Sequence, residues 1–386
     1  MSFFCDRERL RRYRLNRTQA VMKQLNVDAL VATTLDNFRY ISDCRPYFTV
    51  SYAVNSYVAV LTKAGKLAVQ GPVMEGTPMG LAPQVEGWKG YPMIPIPAIP
   101  RNWTSMVGTM LREQGVESGR VGFDDMSFIS YLELSKAMSR IQVVPAFDAM
   151  LEARMIKSQD EIALLRKAEH IVDLGAEVGL KAIKPGVSER ELVSKMSATM
   201  YEAGSEAEPW ATSLSSGERS LSSLFASDRV LKDGDLAVFD LGSIYEGYMG
   251  DIARTGAAGT PSHEARVIYT AAYDALSAGI NAVRPGKLSS EIDGAIRKTL
   301  TSAGCEVSPL STGHGIGVGS PELPWITPRE EGILDVELKA GMVICLELRT
   351  SKDNLTAAGC EDMVLVTDSG YEVLTKCPKQ EHLLTK

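Results

Sequence analysis

The chain has 386 residues, 45% of them hydrophobic and 23% charged, with 41 Lys and Arg against 48 Asp and Glu for a net charge of -7. That length allows two domains with sizeable cores, and the acidic balance excludes a general pull toward nucleic acid or an anionic membrane. No apolar run approaches the roughly 20 residues that span a bilayer, charges stand in MSFFCDRERLRRYRLNR where a signal peptide would be apolar, and six cysteines without CxxC spacing suit reduced thiols, so the expectation is a cytoplasmic protein with no membrane and no nucleic-acid partner.

From Arg7 to about Leu25 the spacing predicts a basic amphipathic helix, better read as a solvated face than as a membrane-surface element, leading into the apolar strand DALVAT. SYVAVLTKAGKLAVQG and GRVGFDD read as strands punctuated by Gly or Asp turns, with TSMVGTMLREQGV a helix between them. Residues 1–153 are therefore expected to form an α/β domain, with the proline-rich YPMIPIPAIP (91–100) an irregular loop inside it. A second domain, 154–386, opens on a long helix announced by Ser158 and Glu161 in capping-box spacing, with Ile162, Leu165 and Val172 on its apolar stripe.

Within that domain AIKPGVSEREL (182–192) returns as AVRPGKLSSEI (282–292), with Pro185, Gly186 and Glu191 matched by Pro285, Gly286 and Glu291. A common turn occurring twice reads this way, and so do two copies of one helix–turn–helix unit related by a pseudo-two-fold axis. GDLAVFDLGSIYEGYMGDIARTG (234–256) reads as a hairpin turning at Tyr245-Glu246-Gly247, in which Asp240 and Asp251 are expected to face each other across the ladder. An acid inside a strand otherwise built of Leu236, Val238 and Phe239 is costly unless paired or metal-bound. His314 lies in TGHGIGVG, where glycines let the backbone pass close to another segment, Glu347 follows the strand run in GMVICLEL, and Glu361 opens EDMVLVT. Four carboxylates and one imidazole are a hard, mostly oxygen donor set suited to two divalent ions that share bridging carboxylates.

In these five motifs, in DNFRYISD (36–43) and in the junction RMIKSQDEI (154–162), the chain resembles the pita-bread metallohydrolases, the M24 family of aminopeptidase P, prolidase and methionine aminopeptidase, over nearly its whole length. The resemblance implies a creatinase-like N-terminal α/β domain followed by a C-terminal α+β pita-bread domain with pseudo-two-fold symmetry. It implies two divalent metal ions (Mn, Co, Zn or Fe), one held by Asp240, the other by His314 and Glu347, with Asp251 and Glu361 bridging. Glu347 would shuttle the proton beside His314, and a homodimer would let one N-terminal domain help close the partner's site.

The departures redirect the expected chemistry. Proline-specific members carry a histidine in the loop before the first metal Asp, where this chain has SSGERSLSSLFASDRVLKDGD (215–235), with Leu224 or Phe225 near that position. They carry a second histidine after the metal histidine, where GHGIGVGSPELP has Pro321. The remaining histidines, His170, His263 and His382, lie elsewhere. Arg349, two positions along the strand from Glu347, shares its face and is a candidate clamp for a substrate carboxylate or a partner for a nearby acid. Arg254 is expected to support the ligands from behind, and Tyr47, Trp210, Phe225 and Trp325 to line a pocket or the core. The expected activity is metal-dependent hydrolysis of a C–N, amide-type bond in a small molecule or short peptide. Xaa-Pro peptidase activity, a metal-dependent lyase akin to dimethylsulfoniopropionate lyase, and a non-catalytic scaffold are the alternatives.

Overall fold

A computed structural model describes residues 4–44, 57–70, 89–91, 100–309 and 311–385. Tyr47 and most of the proline-rich stretch 91–100 lie outside the described residues. The chain divides into two compact units, Asp6–Arg154 and Met155–Lys386.

In the first unit, helix α1 (Arg7–Leu25) starts where the Asp6 carboxylate caps the Arg9 N–H at 3.0 Å and stops at Asn26, whose φ of 51° is left-handed. Part of its basic face turns inward, with Arg14 1% exposed and bonded to Asp43 at 2.9 Å. Then follow β1 (Ala29–Ala32), α2 (Leu35–Ser42), β2 (Val58–Thr62), β3 (Leu67–Gln70), β4 (Lys89–Tyr91), α3 (Pro100–Glu113), β5 (Gly119–Phe123), α4 (Phe128–Ala137), β6 (Ile141–Pro145) and α5 (Phe147–Met155). The six strands form one mixed sheet in the order β4-β3-β2-β1-β5-β6. Trp103, Val107 and Leu111 of α3 pack with Val31, Val60 and Val121, so the central strands are apolar throughout rather than alternating. Just past β5, Asp124 accepts hydrogen bonds from the backbone N–H and hydroxyl of both Thr33 and Thr34, from the Asn37 amide and from the Asp125 N–H, all between 2.7 and 3.1 Å.

The second unit is built twice over. Its elements are α6 (Gln159–Ala182), α7 (Glu189–Glu202), β7 (Ser213–Ser216), β8 (Leu236–Tyr245), β9 (Tyr248–Ala257), α8 (His263–Ala282), α9 (Ser289–Ser302), β10 (Gly313–Gly315), β11 (Glu322–Ile326), β12 (Val343–Ser351), β13 (Ala357–Val366) and β14 (Tyr371–Val373). The strands form two sheets, β7-β8-β9 and β11-β10-β12-β13-β14. The capping box at Ser158 and Glu161 opens α6, and Leu164, Leu165, Ala168, Ile171 and Val172 form its buried stripe, with Ile162 only half-buried at its edge.

The repeated segments occupy equivalent places. Gly186 and Gly286, with φ of 90° and 85°, turn the chain between α6 and α7 and between α8 and α9, a conformation that favours glycine. Each donates its N–H at 2.9 Å to a leucine carbonyl, Leu231 in one half and Leu338 in the other. Glu191 and Glu291 each accept the N–H three residues before them at 2.8 Å. The helix pair α6–α7 covers β8 and β9 through Val172, Met196, Phe239, Leu241 and Ile252, and α8–α9 covers β12 and β13 through Ala272, Leu276, Ile296, Leu346 and Cys360. A fully buried Phe or Leu contributes about 1.5–3 kcal/mol. Because side chains alternate along a strand, burying Phe239, Leu241, Ile252, Leu346 and Cys360 under the helices turns Asp240, Asp251, Glu347 and Glu361 to the opposite face of the sheets.

Candidate metal centre

The hairpin of β8 and β9 turns through Glu246 and Gly247, both at positive φ (52° and 82°), with Tyr245 paired to Tyr248. That two-residue turn corrects one expectation. Asp240 pairs with Ala253 and Asp251 with Gly242, so the two aspartates are diagonal neighbours on one face rather than directly opposite. Glu347 and Glu361 do face each other directly across β12 and β13. His314, in β10, pairs with Cys345 of β12. The flanking glycines have the expected use: a Cβ at Gly313 would lie 2.2 Å from the Cys345 carbonyl oxygen, and one at Gly315 would lie 2.1 Å from that of Leu323.

These five side chains converge. Asp240, Asp251 and Glu361 offer oxygens within 4.8 Å of one another, as do the ligand atoms of His314, Glu347 and Glu361. His314 Nδ1 lies 3.0 Å from the Gly315 carbonyl oxygen, which assigns the proton to Nδ1 and aims the Nε2 lone pair inward. Nε2 is 3.7 Å from Asp251, 3.8 Å from Glu347 and 4.0 Å from Glu361. Burial holds the His314 pKa below its usual value, so the ring is neutral and available as a ligand.

The four acids are in the opposite condition. Burial, then repulsion from Glu347, pushes Asp240 up to about 6, and burial, then repulsion among the acids, raises Asp251 and Glu361 well above the carboxylate range. Burial raises Glu347 as well, though its side chain is 37% exposed and is the most open of the set. Neither oxygen of Glu361, a residue 1% exposed, has a hydrogen-bond donor among the described residues. A buried carboxylate with no donor costs several kcal/mol, and a divalent cation removes that cost. Oxygen donors with one imidazole fit such ions.

Around the ligands stand groups that orient them. Trp210, read from the sequence as pocket lining, donates its indole N–H to Asp240 at 3.2 Å. The Ser320 hydroxyl donates to Asp251 at 3.2 Å. Arg254 bonds the Glu361 carbonyl oxygen, the Asp362 carboxylate and the Cys377 carbonyl oxygen, which fixes the backbone beneath Glu361. Glu169, fully buried on α6, accepts the Asp251 N–H at 3.1 Å and the Thr375 hydroxyl at 2.5 Å. Sequence reasoning passes over Glu169, although an acid inside the apolar stripe between Leu165 and Val172 is the available signal. It also passes over the Cys345 thiol, which lies within 4.8 Å of Asp251 and His314. The Trp325 ring stands edge-on to His314 at 6.5 Å between centroids. Phe225 is 70% exposed on the loop after β7. Arg349 shares the Glu347 face of β12 and bonds the Ser220 and Ser223 carbonyl oxygens and the Ser215 hydroxyl, not an acid.

The family model for metallopeptidase family M24 matches residues 163–368, and that for the creatinase/prolidase N-terminal domain matches residues 14–156. The uncharacterized peptidase YqhT of Bacillus subtilis is 32% identical over 68% of this chain and 74% of its own length. The Xaa-Pro dipeptidase of Pyrococcus furiosus is also 32% identical, over 67% of this chain and 74% of its own. A solved Xaa-Pro dipeptidase from Bacillus anthracis superposes with a TM-score of 0.80 at 28% identity, covering 95% of this chain and 98% of that one. With a catalytic-domain match over more than half its length, the chain belongs to metallopeptidase family M24, the metal-dependent hydrolases of C–N peptide bonds.

Proposed function

We propose that this protein hydrolyses an amide-type C–N bond of a small molecule or short peptide at a centre of two divalent ions, of the Mn, Co, Zn or Fe kind. Asp240 would hold one ion, His314 and Glu347 the other, and Asp251 and Glu361 would bridge. The observation that carries this reading is the convergence of these five side chains around Glu361, whose two buried oxygens have no hydrogen-bond donor among the described residues. Such ions supply a water acidic enough to be deprotonated near neutral pH and polarise the scissile carbonyl.

The chain's own groups do the rest. Glu347 is the most open of the acids and is the proton carrier: it takes a proton as water adds and returns one to the departing amine nitrogen. His314, fixed through Nδ1, holds its ring in one tautomer throughout. Trp210 and Ser320 hold Asp240 and Asp251 in place by hydrogen bonds. Water and amide are consumed, and a carboxylic acid and an amine leave.

An Xaa-Pro dipeptidase is the second reading, favoured by the names of two relatives. Against it, the loop that carries a histidine in proline-specific members presents exposed Leu224 and Phe225, and Ser320-Pro321 stands where the second histidine would be. A cytoplasmic homodimer is the setting proposed; among the described residues no helix is long and apolar enough to cross a membrane. The test loads metal-free protein with Mn, Co, Zn or Fe, counts bound ions, and assays Xaa-Pro dipeptides, other dipeptides and small amides. Turnover of amides in proportion to metal loading is expected; metal-loaded protein inert toward all of them would sink the reading.

A further inference from the structure

We propose that the Cys345 sulfur is a further ligand of the centre, bound to the ion that His314 holds, so that this site prefers zinc or another thiophilic ion to manganese. The inference rests on the metal-centre reading for the other five ligands and adds to them a donor of different chemistry.

The first observation is register. His314 of β10 pairs directly with Cys345 of β12, which puts the two side chains on one face with Cβ atoms about 5 Å apart. Glu347, two residues along the strand, shares that face, while Ile344, Leu346 and Leu348 point into the apolar core that α8 and α9 cover.

The second is distance. Asp251, His314 and Cys345 each bring a donor atom within 4.8 Å of those of the other two, and all three residues are buried. Bonds of about 2.0 Å to nitrogen and 2.3 Å to sulfur separate two donors on one ion by at most about 4.4 Å, so a small closing of the cluster suffices. His314 Nε2 is also 4.0 Å from Glu361, whose two buried oxygens have no hydrogen-bond donor among the described residues. The sulfur therefore stands in a cluster that already calls for a cation.

The third is what the thiol does not do. Cys44, Cys305, Cys360 and Cys377 each direct Sγ to a backbone carbonyl oxygen, at 3.4–4.0 Å. Cys345 is 0% exposed and has no such acceptor among the described residues. A buried thiol that bonds nothing is either a small apolar filler or a ligand. Apolar filler is a poor neighbour for carboxylates that lack donors, and a ligand is a good one. As the ion binds, the S–H bond breaks, its proton passes to solvent, and a sulfur lone pair forms the metal–sulfur bond. A thiolate is a soft donor among hard oxygens and favours zinc over manganese.

The experiment loads the metal-free full chain with cobalt(II), whose bonds to sulfur give a charge-transfer band in the near ultraviolet. The band is expected to grow until the centre is saturated and to vanish in Cys345→Ser. It should persist in Cys5→Ser, which removes the one cysteine of the six that is not buried. Competitive titration of Cys345→Ser should show zinc affinity lowered by more than about 100-fold, beyond the effect of a group that only supports a ligand, and manganese affinity by less than about 10-fold. Should Cys345→Ser not fold, X-ray absorption of the zinc-loaded unaltered protein decides: a sulfur neighbour at about 2.3 Å supports the proposal, and a shell of nitrogen and oxygen alone overturns it. A band that survives Cys345→Ser overturns it as well. Two cobalt ions bound per chain with no sulfur band overturn it and leave the two-ion reading standing. A sulfur band in protein that turns over no dipeptide or amide removes the hydrolase reading and leaves the Cys345 ligand in place.

Discussion

Two buried acids, one in each unit, show what separates a structural carboxylate from a ligand. Asp124 is 5% exposed and accepts six hydrogen bonds from Thr33, Thr34, Asn37 and Asp125. Glu361 is 1% exposed and accepts none from the described residues. The Asp124 charge is stabilised by donors that its own fold supplies, whereas the Glu361 charge is left for something the chain does not contain. Burial alone does not identify a site; burial without donors does.

The contrast breaks most visibly under opposite mutations. Glu361→Gln removes a charge that the metal-free fold does not stabilise, so the metal-free protein should melt no lower, and higher if the amide is accommodated. The same change should cost about a thousandfold or more in metal-dependent turnover, since the several kcal/mol of charge stabilisation supplied by the ions depends on their bridging ligand. Metal counting and kcat/KM on the same preparation check both halves. A metal-free melting point that drops by many degrees would place Glu361 with Asp124.

Asp124→Ala is the converse experiment. It strands the donors of Thr33, Thr34 and Asn37 in a dry site, a loss of about 3 kcal/mol in stability. Denaturant unfolding measures it, with the count of bound metal expected to stay at the unaltered value. A loss of metal with no loss of stability would invert the comparison.

What is legible in the sequence follows the same division. Period and punctuation are strong for the elements: the Ser158 capping box, the Tyr245–Tyr248 turn and the Pro-Gly repeats at 185 and 285 all stand where the residues place them. The acids draw attention because most of them border or interrupt apolar strand runs, and His314 because glycines flank it. Register is not. The diagonal placement of Asp240 and Asp251 follows from a two-residue turn that shifts the pairing by two, which composition does not report. Nor are the donors behind the ligands, since Trp210, Ser320 and Glu169 come from distant segments and look like ordinary core or loop residues one at a time.

Glu169 tests the middle of the range. Its hydrogen bond to the cluster runs through the Asp251 backbone N–H and not through a ligand oxygen, so Glu169→Gln, which keeps an acceptor, should weaken metal binding mildly, and Glu169→Ala by about 10- to 100-fold. Competitive titration with a chelating dye reads this directly. Equal affinity in all three proteins would make Glu169 a purely structural acid, beside Asp124.

The smallest effect is in the pH dependence of stability, whose sign reports on the acids of the cluster. Asp240 titrates at about 6 when folded, pushed up first by burial and then by Glu347, against about 4 when unfolded. Between those values the folded state holds a proton that the unfolded state has released, so the stability of the metal-free protein falls as pH rises from about 4 to 6. Glu347, Asp251 and Glu361 act in the same direction, and His314, held neutral by burial, acts in the other. The metal-free protein should therefore melt a few degrees higher near pH 5.5 than near pH 7.5, the span expected for about 1 kcal/mol in a domain of this size. With metal bound the order should reverse, because the ions need the same acids deprotonated and acidification releases them. Melting curves with and without metal at the two pH values give four numbers; if both forms lose stability on acidification, the acids are compensated within the chain and the centre is not built for cations.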